Sequence, residues 1–503
     1  MKTSISLIVI LSVVTSLLSS LPLLNYNIRG IFYALDPDVT YLGNVLSYIK
    51  HHNVYFFGHP GTPTIGLLSI ILIPLRIIKD NFFDWSFSHL DFLYLYTRLG
   101  QSILLGISLI AFLLAVYMAT RSRLVVIFSW TAVLTFSFLP YLGSSIIPET
   151  TSFLIVSIWL LLFSHFNKTL DQKILFILSF IAGVATGNKL INAFLIIASA
   201  GLSFLFVNLS YKSKIKLLFF SLASSVIGFV WSTWPVRSSY YSLLTWATKL
   251  FISSDVHAQG SSTVIDPNIY WQSVQSFIST NPIPSLLILT LSSAILFAVI
   301  TKKEKVTAPM VITSLLTLGC ILVFFKYTLS YYQLMPYIVV VYLLSCRLAS
   351  HKPLIFLSIL ICFLYGLTPS FKNYLRITSL AMKQATNLTE FFDNHSSNST
   401  TVWEWGASKQ FVLLWGQPYG QAFSPQEIAK ISPGFYQITD NFNKLTQGGP
   451  LTHSVFDICW QHLYIQQTSV LTFFNKYPDH TFITTLISGT NPPMALVKSD
   501  HCP

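Results

Sequence analysis

The chain is 503 residues long, 53% hydrophobic and only 10% charged, with a mean hydropathy of +0.62. Soluble domains carry roughly 25% charged residues, so this balance excludes an ordinary soluble protein and marks a polytopic membrane protein. The formal net charge of +12 calls for no nucleic-acid partner, because Lys and Arg collect in short loops, as they do on the cytoplasmic side of membrane proteins.

In chain order, residues 4 to 24 form an apolar run long enough to cross a hydrocarbon core of ~30 Å. Lys2 precedes the run and no small-residue cleavage site comes before Asn25, so the segment reads as a retained transmembrane helix rather than a signal peptide. A polar stretch, 25 to 92, follows; within it PTIGLLSIILIPLRII (63 to 78) is short and interrupted by Pro74 and Arg76. That run reads as a helix at the membrane surface. Further apolar spans fall near 93 to 119, 124 to 143, 149 to 166, 173 to 187, 190 to 208, 217 to 235, 283 to 301, 307 to 326, 331 to 346 and 353 to 369, giving about eleven crossings. Gly187-Asn188-Lys189 either separates two of them or breaks one irregular crossing.

Basic residues occupy every second loop: Arg121 and Arg123; Lys168 and Lys173; Lys212, Lys214 and Lys216; Lys302, Lys303 and Lys305; Arg347 and Lys352. These loops face the cytoplasm, which puts 25 to 92, 144 to 148, 187 to 189, 236 to 282 and everything after about 370 outside. The expected organisation is a transmembrane domain over 1–370, with its first external loop at 25–92, and a small extracytoplasmic α/β domain over 371–503. In the tail, 400 to 406 and 411 to 416 read as strands, SPQEIAKI as a turn of helix capped by Ser424 with Glu427 three residues on, 469 to 487 as mixed helix and strand, and DNHSSNSTT (393 to 401) as a linker. Cys320, Cys346 and Cys362 read as small packing residues, whereas Cys459 and Cys502 lie where a disulfide is permitted.

The chemistry is concentrated in ALDPDVTYLGNVLSYIKHHNVYFFGHPGTP, residues 34 to 63. Carboxylates at a membrane boundary are costly and so are functional candidates, although Asp36 could equally cap the following helix and Asp38 hydrate at the surface. Cations at external helix ends run against the positive-inside bias, which singles out Arg98, Lys189 and Lys326 as partners for an anionic headgroup, or as snorkelling side chains. Glu149 could position a cation or an acceptor, or simply begin a helix, where its charge suits the dipole. Tyr331, Tyr332 and Gln333 are candidates for lining a lipid groove, and His59 for touching a phosphate. No Walker, Rossmann or nucleophile-elbow pattern is present, so soluble nucleotide and serine-hydrolase chemistry has no anchor.

The DPD at 36 to 38 followed by HPGTP at 59 to 63 resembles the first external loop of the GT-C superfamily of membrane glycosyltransferases, which includes protein O-mannosyltransferases and lipid A aminoarabinose transferases. YTRLGQSILLGI (96 to 107), IIPETTSFLIVSIWLLL (146 to 162), AGVATGNKLINAFLII (182 to 197), YYQLMPYIVVV (331 to 341) and VWEWGASKQFVLLWGQP (402 to 418) are similar to later segments of that superfamily, in the same order. The resemblance implies an integral membrane enzyme that moves a sugar from a polyprenyl-phosphate-linked donor to a lipid, glycan or protein acceptor on the outer face of the plasma (inner) membrane. It implies Asp38, or else Asp36, as catalytic base, with Arg98, Lys189, Lys326 and His59 on the donor phosphate, and Glu149, Tyr331, Tyr332 and Gln333 along the acceptor or cavity wall. Some relatives use a divalent cation with paired acids and others do not; no ligand-spaced cluster marks a metal site, so none is assigned and the cation stays an option. A transporter or flippase would place charges within the spans and repeat itself in halves, and neither sign is present; a non-catalytic lipid-binding relative is the third alternative.

Overall fold

The computed structural model describes residues 2–25, 36–52, 54, 61–205, 210–241, 243–245, 267–301, 308–324, 330–395, 401–403, 435–439, 443–446, 452–454, 460, 462–487 and 494–499. Two compact units divide the chain, one made of 1–21, 57–64 and 101–374, the other of 22–56, 65–100 and 375–503.

The first unit is helical. Its main elements are α1 (Lys2–Asn25, whose last residues fall in the other unit), α6 (Arg123–Leu134), α7 (Pro148–Thr169), α8 (Gln172–Asn188), α9 (Phe194–Leu202) and α10 (Tyr211–Thr233). They are followed by α11 (Pro267–Thr280), α12 (Pro282–Thr301), α13 (Ala308–Phe324), α14 (Leu334–Leu348) and α15 (Lys352–Ile361). Local sequence sets several ends. Ser122 and Asp171 cap α6 and α8 by accepting from the backbone N–H of Val125 (3.4 Å) and Lys173 (2.8 Å). Pro148 opens α7 at a position where its missing N–H costs nothing, with Glu149 in the first turn and Lys168 in the last. Helix α14 lies at the heart of the core, buried continuously from Leu334 to Ser345. Its polar atoms are satisfied: the Tyr337 hydroxyl donates to the Ala132 carbonyl (2.7 Å), and the Tyr342 and Ser164 hydroxyls bond each other (2.7 Å).

Helix α10 shows the membrane character of this unit most directly. Its buried face carries small residues, Ser221, Ser225, Gly228 and Ser232, while Phe219, Phe220, Val226, Ile227 and Trp231 are exposed. That is the reverse of a soluble helix and suits a surface facing lipid, where close backbone packing replaces the hydrophobic effect. The approach of α8 and α10 is so tight that a Cβ on Gly183 would stand 1.9 Å from the Ser225 carbonyl oxygen, and one on Gly228 2.2 Å from that of Phe180.

Among the described residues, five helices are long and apolar enough to cross a membrane, lying in Thr3–Leu23, Phe92–Thr120, Pro148–Thr169, Tyr211–Ser239 and Lys352–Leu380. A sixth is added if Tyr270–Thr280 and Pro282–Ala294, bent by 112°, form one span. The remaining expected spans are helical over shorter stretches, as in α6, α8, α9 and α13, or in α14.

The second unit contains α2 (Asp36–His51), most of α3 (Thr62–Ile78), α4 (Phe82–Ser88) and the start of α5 (Leu90–Thr120), together with most of α16 (Thr368–His395) and a seven-stranded sheet. The strands are β1 (Thr401–Trp403), β2 (Phe435–Thr439), β3 (Lys444–Thr446), β4 (Thr452–Ser454), β5 (His462–Gln466), β6 (Phe482–Ile487) and β7 (Met494–Ser499). Their order is β4-β3-β2-β1-β5-β7-β6, with β1 parallel to β2 and β5 and the outer pairs antiparallel. With α17 (Val470–Lys476), they close a small core around Val402, Ile438, Trp460, Leu463 and Phe473. Strands β1 and β6 and helix α17 stand where the sequence placed strand and helix, and α3 forms over the run expected as a helix. The expected strand at 411 to 416, the capped turn at Ser424 and the two cysteines, Cys459 and Cys502, lie outside the described residues.

Candidate functional site

In the second unit, Asp38 sits in the first turn of α2 and Arg98 in α5, and both side chains are buried. Arg98 Nη2 donates to Asp38 Oδ2 at 2.7 Å. A charge-assisted bond of this length offsets part of the cost of burying two opposite charges. The helical spacing explains the meeting: Asp38, Tyr41, Leu42 and Val45 share the buried face of α2, and Leu93, Tyr94, Thr97 and Arg98 line the buried face at the start of α5. The guanidinium carbon also lies 5.7 Å from the centre of the Tyr94 ring. Arg98, expected on the donor phosphate, is therefore bonded in this structure to the residue expected to act as base. Asp36 begins α2, and its side chain lies outside the described residues. His51 and His52 are exposed at the helix end.

In the first unit, a second buried pair forms. Lys189 Nζ donates to Glu149 Oε1. The lysine is the first non-helical residue after α8, in extended backbone, and the glutamate sits in the first turn of α7. Two aromatic faces add to the grip on the ammonium, which is 4.6 Å from the Tyr331 ring centre and 5.0 Å from that of Tyr332; the two rings are themselves 4.6 Å apart. Lys189 is thus enclosed by a carboxylate and two tyrosines, and the Gly-Asn-Lys break of the apolar run is what brings it there.

Asn188, which the sequence reading passed over, holds this arrangement in register. Its Nδ2 donates to the Pro148 carbonyl (2.8 Å) and to Ser152 Oγ (2.9 Å), so the residue before Lys189 is tied to the residue before Glu149. Its Oδ1 accepts from both the backbone N–H (3.1 Å) and the hydroxyl (2.7 Å) of Thr64, and its carbonyl accepts from Gly61 N–H (3.1 Å). All four side-chain hydrogen bonds of one amide are made, and they fasten Thr64 to the start of α7. Gly61 has φ of 54°, a left-handed turn that favours glycine. The sequence signal for Asn188 was an amide with Gly before it and Lys after it in an otherwise apolar run.

Asn192, one turn further on, donates to Ser152 Oγ and to the Ala185 carbonyl, both at 2.9 Å. Gln333, next to Tyr332, donates to the Ile321 carbonyl at 3.3 Å. The remaining amide oxygens, Asn192 Oδ1 and Gln333 Oε1, are buried and have no hydrogen-bond partner among the described residues, an arrangement that suits hydroxyl or amino donors on a ligand. Lys326 and His59 lie outside the described residues. Among the described residues no group of three His, Cys, Asp or Glu comes together as a metal site would require.

No protein-family model matches the sequence, and no curated protein does. Among solved structures, the chain is similar to ArnT from Cupriavidus metallidurans, determined bound to undecaprenyl phosphate. The likeness has a TM-score of 0.54 at 12% identity and covers 99% of this chain and 98% of that one. The likeness bears out the resemblance drawn from the sequence at the level of fold: the chain shares the fold of ArnT along almost its whole length.

Proposed function

We propose that this protein is an integral membrane glycosyltransferase that moves a sugar from a polyprenyl-phosphate-linked donor to an acceptor hydroxyl at the extracytoplasmic face of the inner membrane. The observation that carries the proposal is the fold shared along almost the whole chain with a protein bound to undecaprenyl phosphate. The two buried ion pairs and the buried amide oxygens support it, because they supply a base, a phosphate-binding cation and acceptors for sugar hydroxyls. The reading keeps the eleven crossings, inferred from hydropathy, and the external placement of the C-terminal domain over 371–503, inferred from the alternation of basic loops.

In the reaction, the acceptor oxygen forms a bond to the anomeric carbon and gives its proton to Asp38. The bond from that carbon to the phosphate oxygen breaks, and its electron pair leaves with the lipid phosphate. Arg98 donates to Asp38 Oδ2, which orients the carboxylate for proton transfer. Lys189 meets the charge that appears on the leaving phosphate.

The experiment is native mass spectrometry in mild detergent with polyprenyl-phosphate sugars, followed by an acceptor screen with Asp38→Asn as the inactive control. Retention of polyprenyl phosphates over bulk phospholipid, with transfer that Asp38→Asn abolishes, is expected. Equal retention of both lipid classes would overturn the donor assignment.

A further inference from the structure

Lys189 stands on the proposed reading as the cation for the leaving phosphate, yet it already has an anion. In this structure its ammonium is bonded to Glu149 and buried with it. A ligand that uses Lys189 must compete with a carboxylate for its charge, so the strength of the ligand's own charge decides how far the lysine is drawn to it. We propose that Glu149 is a specificity-determining residue: it reserves Lys189 for a phosphate carrying a second negative charge. The proposal rests on the assignment of Lys189 to the donor phosphate.

The charge count gives the physical reason. A sugar-bearing polyprenyl phosphate is a phosphodiester with one negative charge, close to that of a carboxylate, so exchange with Glu149 gains little. When the glycosyl bond breaks, the lipid phosphate becomes a monoester, whose charge at neutral pH is about −1.5 to −2 with three strong acceptor oxygens. Only then does the anion outcompete Glu149. Glu149 therefore makes the grip of Lys189 stronger on the departing phosphate than on the bound donor, and an interaction that strengthens toward the transition state is the kind that speeds the chemical step.

The surroundings are built for such an exchange. Asn188 fixes the backbone on both sides of the pair, through its own position beside Lys189 and its bonds to Pro148 and Ser152, so only the side chains need to move. Tyr331 and Tyr332 hold the ammonium through their ring faces independently of Glu149, which keeps the charge in place while its anion changes. Lysine suits the role because it is a point charge with three rotatable donors on a flexible stem. Glu149, when released, remains at the N-terminus of α7, where the helix dipole supports its charge.

The test is competitive retention on the purified full chain of two probes with the same hydrocarbon, undecaprenyl phosphate and its monoanionic methyl phosphodiester. Wild type is expected to favour the monoester. Glu149→Gln, with Lys189 no longer occupied, should bind the diester more tightly and narrow the preference by about tenfold, the scale of coupling between close buried charges. The pair Glu149→Gln with Lys189→Met should fold and lose affinity for both probes. If Glu149→Gln does not fold, Glu149→Asp, shorter by one methylene, should narrow the preference by a smaller factor. An unchanged preference in the Glu149 variants, with Lys189→Met weakening both probes, overturns the role of Glu149 alone. No effect of Lys189→Met on either probe overturns the assignment of Lys189 to phosphate, and this proposal with it.

Discussion

The two buried ion pairs are each made of one carboxylate and one cation, but they are held in different ways. Asp38 and Arg98 meet between two helices, and the cation is a rigid guanidinium whose bond to the carboxylate measures 2.7 Å. Glu149 and Lys189 meet between a helix start and a helix break, with a flexible ammonium enclosed by two tyrosine rings and an asparagine clamp alongside. The first pair suits permanence and the second exchange. A charge that must stay fixed is served by Arg, whose fork is pre-organised, and a charge that must change partners by Lys.

The largest expected effect tests the chemical side of this contrast. Asp38→Asn keeps the size and loses the base, so transfer should fall by about 10²–10⁴-fold, while undecaprenyl phosphate is still retained. Product formation measured by mass spectrometry checks this, and a variant of near wild-type activity would remove Asp38 from the reaction.

Stability comes next. Arg98→Leu leaves Asp38 buried and uncompensated and should cost about 3–5 kcal/mol, read as a lowered thermal unfolding transition in detergent. Lys189→Met strands Glu149 in the same way, and since both carboxylates sit in the first turn of a helix, Asp38 in α2 and Glu149 in α7, the dipole supports each by a similar amount, about 0.3–2 kcal/mol. Its loss should therefore be of the same order as that of Arg98→Leu. A much smaller loss would mean that Glu149 is less dependent on its cation than Asp38 is.

Asn188→Ala removes the amide that ties the turn at 61–64 and the end of α8 to the start of α7. It leaves the Pro148 carbonyl and the Thr64 groups without their partner, at about 1–3 kcal/mol. Retention of undecaprenyl phosphate should fall with stability, because the clamp positions Lys189. A stable variant with weakened retention would sharpen the contrast further, by separating positioning from folding.

The smallest effect is expected at the rings. Tyr331→Leu keeps an apolar side chain and removes one cation–π contact of about 0.5–2 kcal/mol, so phosphate retention should weaken modestly while the Asp38–Arg98 side is untouched. A large loss of transfer without a loss of retention would place Tyr331 in the chemistry rather than in the grip on Lys189.

Much of the fold was legible one residue at a time. Apolar length located the helices that became α1, α5, α7 and α10, because a helix in lipid must be long, continuous and free of charge. The carboxylate and cation positions, Asp38, Arg98, Glu149 and Lys189, were legible because charge near a membrane is costly and stands out. Which charge pairs with which was not. Arg98 and Lys189 looked alike as isolated external cations, and only their neighbours across the fold separate them. Asn188 and Ser152 were missed because a neutral polar residue in an apolar run carries no cost visible in sequence. Their weight appears only when four hydrogen bonds converge on one amide.

By itself, then, the sequence determined that this is a membrane protein, where its apolar helices run and which few residues carry charge into it, since hydropathy and charge are properties of single residues and short windows. Tertiary structure alone decided that those charges form two separate pairs, that one lysine is enclosed by tyrosines, and that α8 and α10 touch backbone to backbone at Gly183 and Gly228. Each of these joins residues distant in the chain, and a contact between distant residues depends on packing and on shape, which no local stretch of sequence contains.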